Sequence, residues 1–78
     1  MIKINWDEFK IFKQHSTEKN DNFEILLDFL KSYYNMTNPT EMYETMINDD
    51  IAPMMLKKRD IKDAVSLENH LFKNFYEE

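Results

Sequence analysis

His15 and His70 are the only imidazoles in the chain, and there is no cysteine. An imidazole base or an imidazole metal ligand would have to be one of these two residues. They stand near opposite ends of the chain, and neither has a partner four residues on. Asp49-Asp50 offers adjacent carboxylates, but an EF-hand loop needs the Asp-x-Asp-x-Asp-Gly spacing and a terminal bidentate Glu, and both are missing. The pair reads instead as a turn that ends a helix. Asp63, Ser66 and His70 share one neighbourhood. A serine nucleophile, however, needs a strained elbow and backbone oxyanion donors, which a chain without glycine is poorly placed to supply. The absence of glycine also removes the Gly-rich phosphate loops of nucleotide-binding enzymes. The sequence therefore predicts a non-enzymatic protein with no metal and no cofactor.

Charge carries more information. The chain has 10 basic and 15 acidic residues in 78, a net of −5. Residues 1–20 sum to +1, residues 21–56 to −6 and residues 57–78 to 0, so the acidity sits in the middle. Asp21, Glu24 and Asp28 fall at i, i+3 and i+7, which stacks three carboxylates along one helix edge. Glu41 and Glu44 repeat the spacing ahead of Asp49 and Asp50. Such a ridge can imitate a phosphate strand and occupy the basic groove of a nucleic-acid enzyme. The plainer account is that Asp21, Glu24 and Glu41 are first-turn residues favoured by the helix dipole, with the remainder on solvated faces.

Lys57-Lys58-Arg59, Lys62 and Lys73 form the opposite candidate. Lys62, Ser66, Asn69 and Lys73 fall on one face of a continuous helix, a surface able to meet a DNA groove in helix-turn-helix fashion, as a homodimer. The interleaved Asp60 and Asp63 and a pI near 4.9 weigh against direct contact with nucleic acid. Met54 and Met55, beside Pro53, are adaptable apolar side chains close to a turn and are candidate contacts for a protein partner.

Helix signals recur along the chain and place these groups. Asn5 caps a helix from Trp6 to about His15, with Glu8 at N3 completing a capping box and Ile4 against Phe9 as a hydrophobic staple. Its apolar stripe is Trp6, Phe9 and Phe12, widened by Ile11. Ile2 and Ile4 alternate with polar residues as a short extended arm. A polar connection spans Ser16 to Asn22. Asp21 then caps the most regular helix, with Phe23, Leu26, Leu27, Leu30, Tyr33 and Tyr34 on one face and Ile25 and Phe29 beside it. Asn35 is the candidate left-handed residue after its end. Asn38-Pro39-Thr40-Glu41 opens a third helix to about Ile47, with Met42, Tyr43, Met46 and Ile47 on its apolar face. A short turn follows around Pro53 to Lys58. The last helix is expected from about Asp60 to Tyr76, with Ile61, Ala64, Val65, Leu71, Phe72, Phe75 and Tyr76 on one side, and Ser66 is the candidate cap of a second segment where Glu68 interrupts that stripe. The fold expected is all-α, one small domain of four to five short helices across residues 1–78.

The longest apolar runs are three residues each, so no membrane span is expected. With Asp7 and Glu8 early and no apolar core near the start, no secretory signal is expected either, and the reading is a cytoplasmic protein. Phe, Tyr, Met, Ile, Asn and Lys supply 40 of the 78 residues, whereas Gly, Ala, Arg and Pro supply 5, a bias that fits AT-rich bacteria, their phages and plasmids, and some eukaryotic parasites. The function expected is a small acidic protein-binding module. Its expected partner is a nucleic-acid-acting enzyme or complex that it inhibits or regulates, in the manner of phage anti-defence (anti-CRISPR) proteins and DNA mimics. The alternatives are a helical DNA-binding regulator and a structural subunit of an assembly.

Overall fold

The chain turns into its first helix at Asn5, whose side-chain oxygen accepts the Glu8 N–H at 3.2 Å. In this computed structural model, which describes residues 2–16 and 21–73, α1 then runs Trp6–Gln14. Four more helices follow among the described residues: α2 (Asn22–Tyr33), α3 (Pro39–Ile47), α4 (Ala52–Lys58) and α5 (Ala64–Leu71). The architecture is all-helical, one small globule with a radius of gyration of 11.7 Å. A compact chain of this length is expected near about 11.5 Å.

Local chemistry explains the helix starts. Asp21 caps α2 by accepting the Phe23 N–H at 2.9 Å, and Asn38 caps α3 by accepting the Thr40 N–H at 2.8 Å, with Pro39 at N1. The capping box of α1 is half formed. The Asn5 N–H donates to the Tyr34 hydroxyl at 2.9 Å rather than to Glu8, and that hydroxyl donates to the Lys3 carbonyl at 3.3 Å. Tyr34 thereby ties the arm before α1 to the end of α2, and Ile4 in that arm is buried.

Two helix ends use left-handed residues, and both fall on short polar side chains because no glycine is present. Asn35, after α2, has φ 57° and delivers Met36 to the core, with the Met36 N–H on the Leu30 carbonyl at 3.2 Å. Asp60, after α4, also has φ 57°. Here the Asp60 N–H reaches the Lys57 carbonyl at 3.0 Å and the Ile61 N–H reaches the Leu56 carbonyl at 3.0 Å. That pair of bonds is a Schellman motif, and its usual apolar contact is supplied by buried Leu56 and Ile61.

α2 is the central element, with Ile25, Leu26, Leu27, Phe29 and Leu30 each 1% exposed or less. α1 packs on it through aromatic edges: Phe9 meets Phe29 at 5.6 Å between ring centroids, and Phe12 meets Phe29 at 5.3 Å. α3 packs against α4 and α5, burying Met42, Thr45 and Met46.

Several expectations need correction. The segment around Pro53 is a seven-residue helix, not a turn. The last helix begins at Ala64 rather than Asp60, because the left-handed Asp60 ends α4 and the extended Asp63 (φ −158°) starts α5. Asp63, not Ser66, is the cap: its carboxylate accepts the Ser66 N–H at 2.8 Å. The expected apolar stripes are wider than the buried arcs, since Ile11, Tyr33, Ile47, Val65 and Phe72 are exposed. Phe75 and Tyr76, and most of the first connection, lie outside the described residues.

Candidate functional site

The seven carboxylates of the expected ridge divide by what the fold asks of them. Asp21 caps α2 and also forms an ion pair with Arg59 at the end of α4. The Arg59 guanidinium lowers the Asp21 pKa below the usual carboxylate range, assisted by the Phe23 N–H. The same guanidinium lies 5.1 Å from the centroid of the Phe23 ring, a cation–π distance. Glu24 is mostly covered, and its Oε2 lies 2.6 Å from Nε2 of His70 on α5. Asp49 is half-buried. It accepts the Trp6 indole N–H at 3.1 and 3.2 Å on its two oxygens, and its Oδ2 takes the Ile51 and Ala52 N–H groups at 2.8 and 3.0 Å. These three residues therefore act as caps and cross-links inside the molecule.

Glu41, Glu44 and Asp50 are exposed on α3 and the turn that follows it, while Asp28 is half-buried on α2. Outward-facing acidity is thus centred on α3 and the α3–α4 corner, not on one continuous ridge.

The two methionines also divide. Met54 is 67% exposed, whereas Met55 packs against the core and borders a depression of about 570 Å³ shared with Asp21, Phe23, Lys58 and Arg59. Ile51, half exposed, stands beside Met54 in a position that sequence patterning missed. The Met54 N–H on the Ile51 carbonyl at 3.3 Å places the two on one face at the start of α4. Nothing local in the sequence signals it: Ala52, the next residue, bonds to the same Asp49 carboxylate and is fully buried.

Between α3 and α4 runs a second depression, of about 400 Å³, floored by Tyr43, Ile47, Pro53, Leu56 and Ile61. Lys57, Asp60 and Lys62 border it. The Tyr43 hydroxyl donates to the Lys62 carbonyl at 2.8 Å, which fixes the 60–62 strap against α3 and forms one wall.

The basic candidates do not form one helical face. Lys62 lies before the Asp63 cap, outside α5, so it cannot share a helix face with Ser66, Asn69 and Lys73. Arg59 is engaged by Asp21. Lys57, Lys58, Lys62 and Lys73 are exposed, and Lys62 lies 3.7 Å from Asp60 across an open surface. Among the described residues no group of three or more His, Asp or Glu side chains is placed to hold a metal ion. No helix among them is long and apolar enough to cross a membrane. Comparison with protein-family models finds no match, and comparisons with curated proteins and with solved structures find none.

Proposed function

We propose that this chain is a protein-binding module that engages its partner through the α3–α4 corner, and that the partner is a nucleic-acid-acting enzyme which it inhibits or regulates. The observation that carries this reading is the exposure of Ile51 and Met54, at 50% and 67%, directly beside the exposed Asp50 and past the end of the helix that carries the exposed Glu44. Apolar side chains of this size gain when a partner covers them, and a cluster of them marks a contact surface. The carboxylates around them favour a basic partner surface and accelerate encounter with it. A groove that normally holds a phosphate backbone has that character.

The test is capture from a nuclease-treated lysate of the source organism or its host with tagged protein. A retained protein that itself binds nucleic acid, is displaced by added duplex or guide nucleic acid, and is lost with Glu44→Lys/Asp50→Lys supports the reading. Retention that is indifferent to that charge reversal, or no retention at all, ends it.

A further inference from the structure

The 400 Å³ groove between α3 and α4 contrasts with the rest of this acidic chain. Its floor is apolar, and its mouth carries Lys57 and Lys62 against a single Asp60, a local excess of positive charge in a protein of net −5. The groove is also preformed. The Schellman turn at Asp60 and the Tyr43–Lys62 hydrogen bond hold the strap that walls it, so an occupant need not order it first. The complementary occupant presents bulky apolar side chains with a carboxylate between them.

The outer face of α5 has that composition. Val65, Glu68, Asn69 and Phe72 fall at i, i+3, i+4 and i+7, and all four are exposed, Val65 at 63% and Phe72 at 60%. Phe72 keeps helical dihedrals (φ −58°, ψ −44°), so it stays in register with Val65. The opposite face of α5 is spent inside the molecule, with Leu67 and Leu71 buried and His70 on Glu24.

We infer that a second copy of this chain occupies the groove, each copy laying the Val65–Glu68–Phe72 face of its α5 into the α3–α4 groove of the other, with Glu68 meeting Lys57 and Lys62. Donor and acceptor are neighbours in the chain: Lys62 on the groove border precedes Val65 by three residues. A two-fold dimer requires each copy to present both surfaces to the same partner, and a separation of three residues keeps Lys62 and Val65 within about 10 Å of each other along the chain. A stable contact needs about 600 to 1,000 Å² from each copy, between about a tenth and a fifth of the 5517 Å² surface. The contact uses groove and α5 residues that the surface proposed above does not use, and it stands or falls independently of that reading.

Sedimentation equilibrium over a concentration series, at low and high salt, tests the dimer with three chains: the natural one, Glu68→Lys, and Lys57→Glu/Lys62→Glu. All the substituted residues are exposed, and circular dichroism verifies that each variant is folded. The natural chain is expected to dimerise, more weakly at high salt. Each variant alone is expected to dimerise at least about tenfold more weakly, because like charges then meet at both symmetry-related contacts. An equimolar mixture of the two variants restores association, since every contact in the mixed dimer again pairs opposite charges. A natural chain that stays monomeric throughout would overturn the inference. Dimerisation untouched by the charge changes, or variants that fail to rescue each other, would overturn it equally.

Discussion

The Trp6 indole N–H donates to both carboxylate oxygens of Asp49, at 3.1 and 3.2 Å, joining α1 to the α3–α4 corner across 43 residues of sequence. The same carboxylate accepts the Ile51 and Ala52 N–H groups, and among the described residues α4 has no other side-chain cap. One side chain therefore closes the packing of α1 and starts α4. Removing it leaves two helix-terminal donors and the indole N–H without their acceptor. Asp49→Ala is expected to cost about 2–3 kcal/mol, the range for hydrogen bonds to a charged group. In a domain of this size that lowers Tm by about 10 °C or more. Thermal unfolding followed by Trp6 fluorescence measures it, and a loss below about 0.5 kcal/mol would show the carboxylate to be dispensable.

Glu24 and His70 make the corresponding link between α2 and α5, at 2.6 Å and largely out of solvent. His70 also meets the Phe23 ring edge-on at 5.2 Å, so its ring is positioned by packing as well as by the carboxylate. A double-mutant cycle with Glu24→Gln and His70→Gln is expected to return a coupling of about 0.5–3 kcal/mol by urea denaturation, as residues in direct contact do. Strict additivity of the two substitutions would mean that the pair forms without stabilising the fold.

These two links also mark where sequence reading ends. The caps Asn5, Asp21 and Asn38, Pro39 at N1, and the left-handed Asn35 are all local chemistry, and each stands where its neighbours in sequence place it. Glu24 has the spacing of a capping-box residue, yet its carboxylate goes to a histidine 46 positions away, and nothing in helical periodicity signals such a contact. The α4 helix was hidden for a related reason: its cap, Asp49, lies three residues before its first helical residue, behind the non-capping Ile51. Val65 and Ile47 fit apolar stripes but are exposed, because which part of a stripe is covered depends on the neighbouring helix. The acidic middle was legible as charge. Which carboxylates face outward was not, since that follows from pairing with Arg59, His70 and Trp6.

The Asp21–Arg59 pair makes stability sensitive to acid. Arg59 holds the folded-state pKa of Asp21 below its ordinary value. A depressed carboxylate stabilises the fold above the unfolded-state pKa and loses that contribution as pH falls through the folded-state value. Both side chains are more than a third exposed, which discounts the pair to about 1 kcal/mol or less. Asp21→Asn keeps a competent cap and removes the charge. The variant is expected to be less stable than the natural chain near neutrality and to converge with it as pH falls through the lowered folded-state pKa of Asp21. Urea unfolding at a series of pH values decides this, and a constant difference at every pH would exclude the ion pair as its source.

Asp60 holds φ 57° without being glycine, and its backbone completes the Schellman motif that ends α4. Asp60→Gly relieves the left-handed strain but adds freedom to the unfolded chain, so the two effects nearly cancel, within about 1 kcal/mol. Asp60→Val retains the strain and adds a branched Cβ, and it is expected to cost about 1–2 kcal/mol or more. Equal stability of the glycine and valine variants would show that the turn relaxes out of the left-handed region.

Ile51 and Met54 give the sharpest separation between a contact surface and a structural one. Both are at least half exposed, and neither belongs to the buried cluster. Ile51→Ser and Met54→Ser are therefore expected to move stability by no more than about 0.5 kcal/mol, as surface substitutions do. Side chains that anchor a partner behave differently, since truncating a central contact commonly costs about 2 kcal/mol or more of binding. The expected pattern is thus near-natural unfolding together with a loss of partner retention of about thirtyfold. Met55→Ser supplies the contrast. Met55 packs against the core from its half-buried position on α4, so its substitution is expected to lower stability first and retention only as the fold weakens. If Met55→Ser instead reduced retention at unchanged stability while Met54→Ser did not, the contact would lie on the Arg59 side of α4 rather than at the α3–α4 corner.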